Sequence, residues 1–410
     1  MPWKETRVED QRLLFIATWL AREVDFSELC REFGISRKTG YKWRARYLAE
    51  GPPGLGERSH VAGTHPNATP AAVEEAILAL RREHSTWGPR TLRTVLCGRD
   101  AAKPLEERTP WPSQRTFACI LGRHGMSATR RRRKPGAPRN LDLAQPDEPN
   151  DVWAMDFKGH FKCGDGARCD PFTLLDLNSR FLLRCVALPK LDTVHVQGVL
   201  EAAFRQYGLP RVLRSDNGSP FASTSLAGLS ALSLWLIGLG VRPEFIAKGK
   251  PQQNGCLERL HRTLKADCAN PPQPTLRAQQ QRLLDWREEY NTERPHQALG
   301  DQPPAVYYHR SPRYVPSKLK PFRYPLGATL RRVMRDGAVQ YQRGLVELGK
   351  PFVGLWVAFV PLGDPDGRYQ RLFYRRQPLA LLDTWRGWFT PVGQAKELLK
   401  AHGQEEDWHW

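Results

Sequence analysis

Three acids in the middle third of the chain stand where carboxylates could do chemistry. Asp156 sits in the apolar run Val152-Trp153-Ala154-Met155-Asp156-Phe157, which reads as a buried strand. A buried carboxylate is costly unless it is paired or holds a metal. Asp216 lies in Ser215-Asp216-Asn217-Gly218, just past a short strand over 210–214. An acid at a strand end can face an open cleft, and the same residues also serve local turn chemistry. Glu258 lies early in a helix predicted from Gly255, G-C-L-E-R-L-H-R-T-L-K. At about 100° per residue Leu257, Leu260 and Leu264 form one stripe, while Glu258, Arg262 and Lys265 share an adjacent face. Taken alone, Glu258 reads better as a surface residue paired i,i+4 with Arg262.

Other polar residues compete for these roles. Asp176 lies between two apolar runs, 171–177 and 180–188, joined by Asn178-Ser179 as a hairpin. A structural role, bonding the 178–180 turn, fits it better than metal binding. His261 and Lys265 could contact DNA near the acids; for His261 a satisfied structural histidine is an equal reading. The sequence contains neither a Ser/His/Asp or Cys/His nucleophile set nor a P-loop, so nothing implies ATP-driven chemistry.

The elements around the acids follow from composition and charge. At 410 residues the chain exceeds one hydrophobic core and implies several domains. Residues 1–140 carry 26 basic and 15 acidic residues, 141–299 carry 19 and 18, and 300–410 carry 17 and 10. Two basic flanks thus enclose a nearly neutral middle. The formal charge of +19 points to a polyanion partner, nucleic acid before anionic membrane. No apolar run approaches the roughly 18 residues of a membrane span, and the polar N-terminus lacks a signal-peptide core. Eight scattered cysteines without a CxxC pair suit a reducing cytoplasm and argue against structural zinc.

The N-terminal flank reads as two helical modules. A helix over 12–23, a second capped by Ser27, the turn Gly34-Ile35-Ser36 and a third helix capped by Ser36 give a helix-turn-helix layout. The third helix carries Arg37, Lys38, Lys42, Arg44 and Arg46 as DNA-contact candidates, with Trp43 and Tyr47 as apolar anchors. Thr69-Pro70 reads as the cap and first residue of another helix. Helices over 88–96 and 113–123, the latter with Arg115, complete a second module. Arg130-Arg131-Arg132-Arg133-Lys134 then reads as an arm along phosphates. The C-terminal flank alternates like strands over 339–348, 352–362, 369–374 and 387–391, with a turn at 363–367. It predicts a small antiparallel barrel with a basic surface.

In combination the motifs resemble a known family. Trp153-Ala154-Met155-Asp156-Phe157, Leu175-Asp176-Leu177-Asn178-Ser179-Arg180, Ser215-Asp216-Asn217-Gly218-Ser219-Pro220-Phe221, 251–265 and Tyr290-Asn291-Thr292-Glu293-Arg294-Pro295-His296-Gln297-Ala298-Leu299 occur in order. They resemble DDE transposases of bacterial insertion sequences with a retroviral-integrase-like core, and two helix-turn-helix modules suit that branch. The resemblance spans about residues 7–310. It implies a ribonuclease-H-like core in which Asp156, Asp216 and Glu258 bind metal. The 41 residues between Asp216 and Glu258 exceed the spacing of many relatives, and a helical segment over 225–240 can absorb them.

Carboxylates suit that role because Mg²⁺ prefers carboxylate and phosphate oxygens. Three of them can hold two ions about 4 Å apart for an in-line phosphoryl displacement. The expected protein is a multidomain α+β transposase using two Mg²⁺ ions, with Mn²⁺ as a substitute. It would bind double-stranded DNA at element ends and target, and cut and join it. It is expected in the bacterial cytoplasm at the nucleoid, without a membrane partner, as at least a dimer on DNA. The expected division is 1–60 and 66–129 for the two modules, 130–149 for the linker, 150–300 for the catalytic core and 325–395 for the barrel. The alternatives are a non-catalytic DNA-binding regulator and a nuclease that cuts without joining.

Overall fold

The structure is a computed structural model that describes residues 8–58, 68–127, 143–391 and 395, apart from 224, 226, 227, 248, 320, 343, 364 and 365. The basic run Arg130–Lys134 lies outside the described residues, as do Asp364 and Pro365 of the expected turn. The chain divides into a unit over 1–68 and a unit over 69–410.

The first unit packs α1 (Val8–Ala21), α2 (Phe26–Glu32) and α3 (Arg37–Glu50). Ser36 caps α3 as expected, its hydroxyl accepting the Thr39 N–H at 3.2 Å. The cap of α2 is Asp25 and not Ser27; the Asp25 carboxylate accepts the Ser27 N–H at 3.0 Å. Phe15, Ile16, Leu29, Cys30, Trp43 and Leu55 form the core. Gly40 lets α3 approach α2, because a Cβ there would lie 2.6 Å from Cys30 Sγ.

The second unit opens with α4 (Ala71–Glu83), α5 (Pro89–Ala101) and α6 (Gln114–Arg123). They close around Ile77, Leu80, Trp87, Leu92, Phe117 and Ile120. Ser113 caps α6 at 3.3 Å. The expected Thr69 cap is absent: Pro70 takes the N-cap position, and no side-chain oxygen bonds there.

The middle of the chain forms β1 (Val152–Phe157), the small hairpin β2 (Phe161–Lys162) and β3 (Arg168–Cys169), β4 (Pro171–Asp176), β5 (Leu182–Ala187), α7 (Thr193–Tyr207), β6 (Val212–Ser215), α8 (Ala231–Gly238), β7 (Arg242–Phe245), α9 (Gly255–Cys268) and α10 (Leu276–Thr292). The sheet order is β5-β4-β1-β6-β7. β1 pairs antiparallel with β4 and parallel with β6, which pairs parallel with β7. This mixed five-stranded sheet with helices on both faces is the ribonuclease-H-like core. Trp153 and Met155 of β1 pack on α7 and α8 through Phe204, Leu232 and Leu236. Val152 and Ala154 point the other way, toward Leu257, Leu260 and Leu264 of α9 and Trp286 of α10.

Two sequence expectations are corrected in this region, and one helix lies outside them. The segment between Asp216 and Glu258 holds both a short helix, α8, and a strand, β7, where a helix over 225–240 was expected. α10 was not anticipated. Residues 143–149, assigned to the linker, are bonded to the core: Arg214 Nη2 donates to the Ala144 carbonyl at 2.6 Å, and Glu244 accepts the Ala144 N–H at 2.9 Å.

The C-terminal part contains β8 (Thr329–Arg332), β9 (Ala338–Tyr341), β10 (Gly344–Glu347), β11 (Trp356–Pro361), β12 (Tyr369–Tyr374), β13 (Gln377–Asp383) and β14 (Trp388–Pro391). The expected closed barrel is not formed among the described residues. They give a five-stranded antiparallel sheet, β14-β13-β12-β11-β8, and a separate β9–β10 hairpin. β14 and β8 are the two ends of that sheet, and no pairing joins them. Residues 339–348, read as one strand, reverse near Gln342, whose φ is +51°. Among the described residues no helix is long and apolar enough to cross a membrane.

Candidate active site

The pleat of β1 decides where Asp156 points. Even-numbered residues of β1 face α9, so Asp156 follows Val152 and Ala154 onto that side. Asp216 continues β6 past Val212, which lies in the same apolar cluster. Glu258 stands in the first turn of α9, exposed, while Leu257, Leu260 and Leu264 are fully buried. Strand, strand end and helix thereby turn their acids toward one region.

The acids act on one another electrostatically. The Asp156 carboxyl is pushed up to about 7, first by burial, then by the Asp216 and Glu258 charges. The Phe157 N–H, donating to Asp156 Oδ1 at 2.8 Å, and Lys158 pull in the opposite direction. Asp216 Oδ1 accepts the Gly218 N–H at 3.0 Å. Among the described residues no Lys or Arg lies within ion-pair distance of Asp156, Asp216 or Glu258; the contact recorded is His261 Nδ1, 3.8 Å from Asp156 Oδ2. Burial, helped by Lys158, holds His261 down to about 4, so it is neutral at pH 7 and supplies no countercharge.

His261 is buried, with 8% of its surface exposed. Its Nε2 lies 2.7 Å from Thr173 Oγ1, and the Thr173 hydroxyl also lies 3.1 Å from the Asp156 carbonyl. Thr173 pairs directly with Asp156 across β1 and β4. The Thr173–His261 contact therefore ties α9, which carries Glu258, to the strand that carries Asp156. Sequence reasoning missed Thr173; the signal was its place opposite Asp156 once the hairpin register is known. Arg262 and Lys265 are exposed on α9, and the Lys265 charge is near enough to lower Lys158.

Asp176 is fully buried and accepts three bonds, from the Asn150 N–H and the Ser179 N–H at 2.8 Å and from the Ser179 hydroxyl at 2.6 Å. Its structural bonding matches the turn role expected for it.

The sequence matches the integrase core domain family over 146–251 and again over 239–304. Homeodomain-like families match 6–56 and 39–121. An uncharacterized 31.7 kDa protein of insertion element IS407 from Burkholderia multivorans is 30% identical over 261 residues, 62% of this chain and 88% of its own length. The chain belongs to the integrase-core transposases of insertion elements. The putative transposase InsD of insertion element IS2E from Escherichia coli is 28% identical, covering 43% of this chain and 83% of its own length. Among solved structures, the HTLV-2 integrase catalytic core in complex with magnesium is 16% identical, with a TM-score of 0.30 over 40% of this chain and all of its own length.

The DNA-contact candidates fall into two groups. Arg37, Lys38, Lys42 and Arg115 are exposed. Arg44 and Arg46 are half-buried: Arg44 lies over the Trp19 ring, and Arg46 donates to the Gly56 carbonyl at 2.9 Å while lying over Trp43. Trp43 is buried, as an anchor should be.

Proposed function

We propose that Asp156, Asp216 and Glu258 hold two divalent cations, Mg²⁺ or Mn²⁺, and that this transposase cuts and joins DNA at that centre. The observation that carries the reading is three carboxylates sharing one region without a paired cation. Burial first, and then the Asp216 and Glu258 charges, raise the Asp156 proton affinity, and a bound cation would offset both. Among the described residues no three His, Cys, Asp or Glu side chains are close enough to hold an ion by themselves. Mg²⁺ needs no such cage, because one or two carboxylates, waters and substrate phosphates complete its shell. Divalent cations held there supply activation of the attacking hydroxyl and neutralisation of the departing oxygen.

The chain's own residues supply the rest. Asp156 and Asp216 orient from adjacent strands of a rigid sheet, and Glu258 closes the centre from α9. Lys158 and Lys265 face a phosphate drawn to the acids. The two helical modules, over 1–60 and 66–129, read terminal-repeat DNA through Arg37, Lys38, Lys42 and Arg115. The β-rich part over 325–395 contacts DNA or a second subunit. Joining two element ends needs two such centres, so the active form is at least a dimer.

The test is a cleavage and strand-transfer assay with Mg²⁺ and a labelled terminal-repeat duplex, on wild type and on Asp216→Asn. Metal-dependent cutting and joining by wild type alone is expected. Binding without cutting would leave a regulator, and cutting without joining a nuclease.

A further inference from the structure

A second charged site stands beside the acids on the other flank of α9. Arg180 comes from the β4–β5 turn, Arg259 from α9 and Arg294 from the segment after α10. Among the described residues no carboxylate comes within 4.0 Å of Arg180 or Arg259, and Arg294 has Asp267 alone, at 3.9 Å. Arg180 Nη1 donates to the Cys256 sulfur, placing the guanidinium at the start of α9. Arg294 lies over the Tyr290 ring at 5.9 Å, and that ring meets His296 edge-on at 4.7 Å. Burial, then the charges of Arg294, Arg180 and Arg259, hold His296 down to about 4 against a backbone hydrogen bond at Tyr290, so all three cations act on one imidazole.

Two polar atoms in this group are left over. Arg294 Nη1 and His296 Nε2 are buried without a hydrogen-bond partner among the described residues. Half-buried guanidinium groups with so little opposite charge are costly. Unsatisfied buried groups of this kind call for a partner, and an anion is one that fits guanidinium donors. Asn254 makes no capping bond at the N-terminus of α9, so the helix end adds to the positive potential.

The position says which anion. Arg259 directly follows Glu258 and stands about 100° around α9 from it. On its other side the cluster borders the seam where the second helical module meets the core. There Thr86 Oγ1 lies 3.3 Å from Asp267 Oδ2, the same acid that approaches Arg294. Nearby, His84 Nδ1 lies 3.0 Å from Glu289 Oε1, and Arg90 donates to Asp301 at 2.6 Å. The cluster thus lies between that module and Glu258, where the proposed centre acts on a DNA backbone.

We propose that Arg180, Arg259 and Arg294, with His296 behind them, form a binding site for a backbone phosphodiester of DNA, outside the acid centre. The site rests on the DNA-processing reading above, but its test needs no cleavage. Binding of the full chain to a duplex is measured by fluorescence anisotropy in EDTA across a salt series, for wild type, Arg180→Gln, Arg259→Gln and Arg294→Gln. Each lost phosphate contact lowers the slope of log K against log salt by about 0.9. Across a fourfold rise in salt, each variant therefore loses about 3.5-fold less affinity than wild type. Arg205→Gln, on the exposed side of α7, is the control and should keep the wild-type slope. Arg259 is exposed, so its replacement separates DNA binding from folding. Wild-type slopes in Arg259→Gln and in either other variant with an unchanged melting curve would overturn the site. A reduced slope together with failed cleavage by wild type would keep the site and reject the catalytic reading.

Discussion

Asp156→Asn should stabilise the metal-free protein while removing its capacity to hold a cation. The wild-type carboxyl titrates at about 7 when folded, against an ordinary value of 3.8. At about 1.4 kcal/mol per pH unit, that gap corresponds to about 4 kcal/mol against the folded, ionised state. The side chain is 26% exposed, and solvent screens part of this, so about 2–4 kcal/mol is the working range. The sign follows from proton counting. Between pH 3.8 and about 7 the folded state keeps a proton that the unfolded chain has lost. Stability from this residue therefore falls as pH rises through that window and levels off above it. Asparagine keeps the Oδ1 that accepts the Phe157 N–H and carries no charge at any of these pH values.

Urea unfolding in EDTA, followed by tryptophan fluorescence at several pH values, reads the effect. The variant should exceed wild type at pH 8, and the advantage should shrink as pH falls toward 4. Added Mg²⁺ should then raise wild type alone and narrow the gap. Equal stabilities at pH 8, or an advantage that grows toward acid, would mean that Asp156 does not carry the strain assigned to it.

Thr173→Val should weaken Mn²⁺ binding, read by electron paramagnetic resonance, by about tenfold or more, as expected when a group orienting a ligand is lost. Thr173→Ser should restore it, and equal affinities in Val and wild type would dismiss the Thr173–His261 tie as a positioning device. Asp176→Asn should cost about 1–3 kcal/mol in urea unfolding, because an amide nitrogen then faces donors that a carboxylate satisfied. Its Mg²⁺ dependence should stay that of wild type, and a shifted dependence would return Asp176 to the metal site. Gly40→Ala pushes a methyl group toward Cys30 Sγ and should cost the first module about 1–3 kcal/mol. A gel shift with terminal-repeat DNA should weaken in parallel, and wild-type binding with wild-type stability would contradict the close packing of α2 and α3.

The acids were legible in the sequence because each sits at an element with a strong local signature. The apolar run of β1, the Asp-Asn-Gly strand end and the leucine stripe of α9 each survive as patterns within a few residues. The residues that support the acids did not survive that way. Thr173 matters only through its pairing with Asp156, 17 residues distant, and His261 only through Thr173. α10 hid because Leu283, Trp286 and Tyr290 are sparse among charged and amide residues, and its burial against β5 comes from tertiary packing. β13 and the β9–β10 reversal were missed because strand signals depend on which neighbours cover them. At helix starts, nearby candidates compete: Asp25 takes the role read for Ser27, and Pro70 the position read for Thr69.

Why Asp156 and Asp216 stand on the side of the sheet that α9 covers follows from sheet parity. Val152, Ala154 and Asp156 alternate with Trp153 and Met155, and the two sets bury on opposite faces. Thr173 lies between Phe172 and Leu174, both in the cluster under α7, so it faces α9 with Asp156. Val212 fixes β6 in the same phase, and Asp216 lies four residues on. A one-residue slip of β1 would send Asp156 into the cluster of Trp153 and Phe204 and bring a tryptophan to the α9 side. The aromatic residues that hold α7 and α8 to the sheet thus also hold the acids on the side where α9 presents Glu258. In this chain of net charge +19, no Lys or Arg among the described residues pairs with Asp156, Asp216 or Glu258 within ion-pair distance. The apolar register sets the face on which Asp156 stands, and Lys158, whose charge acts on it, is itself lowered first by burial and then by Lys265.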